Sequence, residues 1–355
     1  MKNNLYDRSI EIILDNQAPI GAYIACPNFP SYHYSWMRDG SYIAYAMDIA
    51  GQHHSAAAFH RWVAQVVLER KEIVHALAEQ EPAALVEKGF YLHTRFTMDG
   101  KEADEEWPNF QLDGFGTWLW ALERHLALSG GAPEDNCLEA AVVVAQYLAK
   151  LWQTPCYDLW EEHPHAIHPY TLACITGGLT SMTAYLGQDY GKLVESIKCY
   201  LLDNYLFDGY ITKFKGNSLV DASLIGLCIP YGLITPEHPV MQATIDQIEK
   251  QLIASGGLHR YAEDSYYGGG EWVLLSAWLG WYYQEIGATD KAEEMLRWIE
   301  AQADANLNLP EQVPHALNAP DKLAYWEKRW GPIASPLLWS HAKYIILKNR
   351  INRSV

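Results

Sequence analysis

Four times along the chain an aromatic-rich apolar stretch runs into a glycine, and a more charged stretch follows. The four are Ala44–Ala50 before Gly51, Trp118–Ser129 before Gly130, Met182–Leu186 before Gly187, and Trp278–Ile286 before Gly287. Glycine there suits the left-handed residue that ends a helix. After Gly287, Ala292, Met295, Leu296 and Ile299 recur at helical spacing, the mark of a helix with one apolar face. Extended over the chain, the pattern predicts outer helices near 5–16, 54–70, 134–153, 189–206, 238–254 and 289–304. It predicts inner ones near 40–50, 115–129, 168–186, 219–230, 271–286 and 335–349. Helices apolar nearly all round must be enclosed, and those with a charged face can enclose them. The expected fold is therefore all-α, a closed toroid of six helical hairpins with long connecting loops at one rim. Strand content is expected to be small, a short ribbon around Phe90–Met98 before the Asp99-Gly100 turn.

No linker, charge block or low-complexity run divides the 355 residues, so one domain over 1–355 is expected. A hydrophobic share of 49% supplies a large core. Lys and Arg total 26 against 43 Asp and Glu, and the net charge of −17 opposes binding to nucleic acid or an anionic membrane. The six cysteines show no C-x-x-C spacing, which indicates neither zinc nor redox chemistry. Asp7, Glu11 and Asp15 fall where a signal peptide needs an apolar run, so a cytoplasmic location is expected. Trp (14) and Tyr (23) far outnumber Phe (8), favouring rings that also carry a hydrogen-bonding group. Such rings suit a sugar-binding surface, and equally a helical core.

Two loops carry the candidate chemistry: Tyr157 to Glu162, and Leu309 to Val313. Trp160 offers Glu161 an apolar neighbour, and Pro310 stiffens the backbone at Glu311. Two carboxyls in unlike surroundings can divide into proton donor and proton acceptor, the arrangement that hydrolyses glycosidic bonds. Trp36-Met37-Arg38-Asp39, Trp107 to Asp113 and Arg260 to Gly270 likewise precede expected inner helices. In an alternating toroid all inner helices run the same way, so these loops gather at one mouth, where helix N-termini offer free N–H donors.

Residues 5–350 resemble the catalytic domain of glycoside hydrolase family 15, the glucoamylase-like enzymes. The resemblance rests on Asp15-Asn16-Gln17-Ala18-Pro19-Ile20-Gly21-Ala22, Tyr34-Ser35-Trp36-Met37-Arg38-Asp39, Gln111-Leu112-Asp113-Gly114, Asp158-Leu159-Trp160-Glu161-Glu162, Arg260 to Tyr266, Leu309-Pro310-Glu311-Gln312 and Pro336-Leu337-Leu338-Trp339-Ser340-His341. It implies an (α/α)6 barrel and an exo-acting, inverting α-glucosidase that needs no cofactor. Glu161 is then the general acid and Glu311 the general base, separated by roughly 6.5–9.5 Å to admit a water. Arg38 and Asp39 would grip the terminal glucose, Arg260 would form a second clamp, and Trp107 and Trp160 would be subsite walls. Glu162 would reach the leaving sugar, and Tyr34 belongs to the expected substrate-binding set. The chain has room for neither the N-terminal β-sandwich nor the starch-binding domain of longer relatives, which suits a small α-1,4- or α-1,6-linked saccharide, isomaltose or maltose in type, with trehalose a third.

Read without the resemblance, Arg38 and Asp39 are a helix-start ion pair or cap with no ligand. Asp113 and Asp221 read as caps or pocket supports, and Asp264 and Glu263 as groups that orient Arg260. Tyr266 and Tyr267 are pocket walls or packing. The run His163-Pro164-His165-Ala166-Ile167-His168 invites a metal reading, but its prolines exclude the i, i+4 arrangement of a zinc helix, so the expectation is no metal and histidines edging the leaving-group subsite. Two other function classes stay open: a non-hydrolytic sugar epimerase or phosphorylase of the same shape, and a carbohydrate-binding protein without activity. An epimerase needs His-centred proton transfer and does not need both Glu161 and Glu311.

Overall fold

A computed structural model of the chain describes residues 4–79 and 81–353. In chain order, α1 (Leu5–Asp15) leads to β1 (Ser35–Trp36), α2 (Met37–Ile49), α3 (His53–Leu68), the short α4 (Lys71–Glu79) and α5 (Pro82–Glu87), β2 (Arg95–Phe96), α6 (Asp113–Ser129) and α7 (Asp135–Leu151). Then come α8 (Pro169–Ser181), α9 (Gly191–Tyr205), β3 (Leu206–Phe207), β4 (Tyr210–Ile211), α10 (Pro239–Leu252), β5 (Glu271–Trp272), α11 (Val273–Glu285), α12 (Thr289–Glu300), β6 (Gln312–Val313), α13 (Pro320–Trp330) and α14 (Leu338–Arg353).

The inner ring closes. α14 packs on α2, α2 on α6, and α6 on α8; α8 meets a 3-10 segment at Ala222–Leu227, which meets α11, and α11 returns to α14. Around it lie α1, α3, α7, α9, α10 and α12. The sequence logic is visible in burial. Every residue of α11 from Val273 to Tyr283 is buried, whereas α12 buries only Ala292, Met295, Leu296 and Ile299. Burying side chains the size of Met295, Leu296 and Ile299 stabilises by about 1.5–3 kcal/mol each, which fixes α12 against α11 and α14. The four helix-stop glycines, Gly51, Gly130, Gly187 and Gly287, all have φ between 64° and 78°. α6 and α8 approach backbone to backbone, since a Cβ at Gly116 would sit 2.4 Å from the Cys174 carbonyl oxygen.

Three expectations need correction. The fourth inner element, expected over 219–230, is only the six-residue 3-10 turn, capped where Asp221 accepts the Ser223 N–H at 2.8 Å. Gly226 inside it and Pro230 just beyond it leave too little chain for a stable α-helix. The ribbon expected over Phe90–Met98 shrinks to Arg95–Phe96, paired with Ser35–Trp36 and not with a hairpin partner across the turn. Phe90 is 49% exposed. Helices α4, α5 and α13 occupy stretches read as loops. Among the described residues no helix is long and apolar enough to cross a membrane, and all six cysteines are free.

Candidate active site

The inner helices present their N-termini to one rim, and a cavity of about 440 Å³ opens there, within the usual range for a ligand pocket, about 300–1,000 Å³. Glu161 and Glu311 both line it, with Arg38, Asp39, Trp107, Trp160, Glu162 and Arg260. Tyr34, expected in the substrate set, is not among the lining residues. Its hydroxyl donates to Glu105 at 2.7 Å and its ring covers the Arg95 guanidinium at 4.1 Å, so it buttresses Trp107, which stacks on the same guanidinium at 3.9 Å. Two residues upstream, Tyr32 lines the cavity instead.

Glu161 occupies a tight loop at φ 65°. Asp158 holds that loop, its Oδ1 accepting the N–H groups of Trp160 at 3.0 Å and Glu162 at 2.9 Å. Lys213 in turn ties Asp158, at 3.4 Å, to Asp221, which accepts the Trp160 indole N–H at 2.9 Å. The indole that touches Glu161 is Trp36, not Trp160. Trp36 Nε1–H and Gln111 Nε2–H both donate to Glu161 Oε1, at 2.7 and 3.0 Å. An oxygen that accepts two N–H donors has no room for a proton, so in the acid form the proton sits on Oε2.

Glu311 directly precedes β6, whose pairing with β5 sets Gln312 opposite Trp272. α14 steadies the approach to it. His341 Nε2 accepts the Leu309 N–H at 3.0 Å, Ser340 Oγ donates to the Pro310 carbonyl at 2.8 Å, and His341 Nδ1 lies 2.8 Å from Ser9 of α1. Because Nε2 is the acceptor, Nδ1 carries the hydrogen and donates to Ser9. Glu311 is 4% exposed. Tyr32 donates to its Oε1 at 3.0 Å, and its Oε2 has no partner among the described residues. Burial pushes the Glu311 carboxyl up to about 8, against the lowering effects of Tyr32 and Arg260, while Asp39 and Asp264 add to the rise. Trp160, expected as the apolar neighbour of Glu161, instead donates its indole N–H to Asp221.

Arg38 and Asp39 occupy the first turn of α2. One Arg38 N–H group (Nη1) donates to Gln111 at 2.9 Å and Asp113 at 3.0 Å, so Asp113 is a pocket support as expected. Arg38 Nε and Asp39 Oδ2 are 3.5 Å apart and neither makes a hydrogen bond, which leaves both free to turn to a ligand hydroxyl. Burial raises Asp39 to about 7 even though the neighbouring Arg38 charge opposes it. Arg260 is oriented by Asp264, at 2.7 Å through Nε, and reaches Glu162 at 3.4 Å; Glu263 is exposed and plays no part. Glu162 also accepts from Tyr261 at 2.5 Å. Tyr266 is a wall, whereas Tyr267 is fully buried packing. The histidine run does not edge the cavity. His168 is buried against Phe214 and bonds the Cys156 and His163 carbonyls, and His163 lies on the same ring. Asp158, Glu162 and His163 bring possible metal-ligating atoms within 4.8 Å of one another, but Lys213, two backbone N–H groups, Tyr261 and Arg260 already engage the carboxylates.

Sequence reasoning missed Tyr32, Gln111, Lys213 and the α13 side chains Trp326, Arg329 and Trp330 that line the outer cavity. α13 had readable signals, Pro320 at its start, Lys328 and Arg329 in its last turn, and Gly331 after it. Lys213 had none.

A six-hairpin helical toroid with a carboxylate- and tryptophan-lined pocket at one rim defines the class, a sugar-processing (α/α)6 enzyme. The family model described as glycosyl hydrolases family 15 matches residues 1–329. The isomaltose glucohydrolase of Kribbella flavida is 39% identical over 358 residues, covering 98% of this chain and 93% of that protein. The solved structure of a wild-type glycosidase, 40% identical, superposes at a TM-score of 0.92 over 98% of this chain and 96% of its own. A bacterial glucoamylase complexed with acarbose, 21% identical, shares the fold at a TM-score of 0.75 over 99% of this chain and 56% of its own. The chain belongs to glycosyl hydrolases family 15 and is a glycoside hydrolase.

Proposed function

We propose that the protein is an exo-acting, inverting α-glucosidase that releases β-glucose from the non-reducing end of short α-1,6-linked gluco-oligosaccharides of the isomaltose type. One observation carries the reading: Glu161 and Glu311 line the same pocket, each with one carboxylate oxygen bonded to the protein. Glu161 Oε2 donates its proton to the glycosidic oxygen. Glu311 Oε2 takes a proton from water, which attacks the anomeric carbon from the opposite face, so configuration inverts. Arg38 and Asp39 bind the terminal sugar, and Arg260 with Glu162 binds across the scissile bond between Trp107 and Trp160.

The pocket ends on the packed barrel interior at Leu274 and Trp339, which favours a chain end over a chain middle. Trp326, Arg329 and Trp330 of α13 crowd its outer part and favour short substrates. The name of the Kribbella relative supports isomaltose, and a related glycosidase variant has been solved with glucose. Among the described residues no histidine lines the cavity, which counts against an epimerase. We further propose one catalytic domain spanning 1–355, working in the cytoplasm; the free cysteines agree with a reducing compartment. The test is proton NMR of isomaltose, maltose, trehalose and dextran digests. β-Glucose released fastest from isomaltose is expected, and initial α-glucose, or no release from any of the four, refutes the proposal.

A further inference from the structure

Nine residues along α2 from Asp39, about 14 Å toward the opposite end of the barrel, histidines surround one buried carboxylate. Asp48 is 2% exposed. Its Oδ1 lies 2.8 Å from His53 Nδ1 at the start of α3 and 2.9 Å from His125 Nδ1 on α6, and its Oδ2 is 3.0 Å from the same His125 nitrogen. His60, further along α3, is 1% exposed, with its ring 5.1 Å from that of His125. Neither nitrogen of His60 has a hydrogen-bond partner among the described residues. Asp48, His60 and His125 bring their possible ligand atoms within 4.8 Å of one another.

Hydrogen bonding accounts for Asp48, His53 and His125, and leaves His60 without a role. A neutral imidazole carries one donor and one acceptor, and a core position that satisfies neither is better filled by Leu or Met. We propose that Asp48, His60 and His125 form a structural site for one divalent transition-metal ion of the zinc class, with His53 flanking it on the solvent side. Two imidazoles and a carboxylate suit zinc, whereas magnesium and calcium prefer oxygen donors alone. Tetrahedral zinc holds ligands at about 2.0–2.2 Å, so roughly 3.3 Å from one another, and Asp48 and His125 already approach that spacing. As the ion binds, any hydrogen on the ligating His125 nitrogen moves to the other ring nitrogen or to solvent. The ion joins α2, α3 and α6, so it acts on stability and leaves hydrolysis untouched.

The experiment strips the full-length protein with a chelator, then adds Zn²⁺ in calorimetric titration and thermal melts. Expected are one equivalent per chain, a raised Tm, and loss of both in His60→Leu and His125→Asn. His60→Leu replaces the unpartnered ring with an apolar core side chain, and its zinc-free hydrolytic rate stays within twofold of wild type. Absence of saturable binding to the stripped wild type overturns the site. So does binding that survives in both variants, or zinc whose only effect is inhibition of hydrolysis, which assigns the ion to Asp158, Glu162 and His163 at the pocket.

Discussion

Lys213→Met tests whether the catalytic loop depends on a buried charge that touches no substrate. Lys213 is 4% exposed and pairs with both Asp158 and Asp221. Burial works against its charge, but the two carboxylates outweigh burial and hold its pKa above the usual value. Burial likewise pushes Asp221 up, and Lys213 with Ser223 more than reverses this. Removing one partner from a buried ionic group costs about 3–5 kcal/mol, because the remaining charge is left uncompensated. With an unfolding entropy of about 2.1 cal/mol/K per residue, the 355-residue chain should lose roughly 4–7 °C in Tm by calorimetry at neutral pH. The sign of its pH dependence follows. Asp221 is depressed in the wild type, so its stabilisation is present above the unfolded carboxylate pKa and fades as pH falls through the folded one. In the variant Asp221 has lost its partner, so the gap to wild type narrows as pH falls below the ordinary carboxylate pKa of about 4. Asp158 holds the Glu161 loop through two N–H groups, so kcat should fall about 10- to 100-fold, the scale of a 1 Å misplacement. Adding Asp221→Asn should restore part of the Tm. A Lys213→Met protein that melts within 1 °C of wild type, with kcat within twofold, refutes the reasoning.

Glu161→Gln and Glu311→Gln should each lower hydrolysis of isomaltose by at least about 10²-fold while circular dichroism and Tm stay near wild type. α-Glucosyl fluoride, whose leaving group needs no proton, should separate them, with Glu161→Gln retaining much of its rate and Glu311→Gln little; equal losses would contradict the assigned roles. Glu311 is raised to about 8 and must be ionised to act, so kcat/KM should climb as pH rises toward that value. Tyr32→Phe removes a bond that lowers the pKa and should move this limb to higher pH, and an unmoved limb would show that Tyr32 does not govern Glu311. Gly116→Ala drives a methyl into the α8 backbone and should destabilise by about 1–3 kcal/mol, measured in urea; a neutral result would mean that the α6–α8 contact has slack.

Periodicity and glycine placement carried most of the fold, because an inner helix such as α11 must be apolar all round and an outer one such as α12 on one stripe only. They failed at 219–230, where the apolar pattern persists but Gly226 and Pro230 leave a single 3-10 turn. At the site, Arg38, Asp39, Glu161 and Glu311 were legible because they belong to contiguous motifs beside expected helix starts. Tyr32 and Lys213 were not, and Gln111 stood in a motif that did not disclose its role, because each acts on a group 50 or more residues away. Nor does the spacing of Asp48, His53, His60 and His125 form a recognisable motif; only the closing of the ring brings His125 beside Asp48.

The link from Ser9 through His341 to the Leu309 N–H spans 332 residues between its first two members. At about 5–20 residues per second, a ribosome makes α1 well before the strut that will position the base loop. Through that interval α1 and α2 wait without their α14 neighbour, and the Glu311 loop takes its final position only when that stave docks.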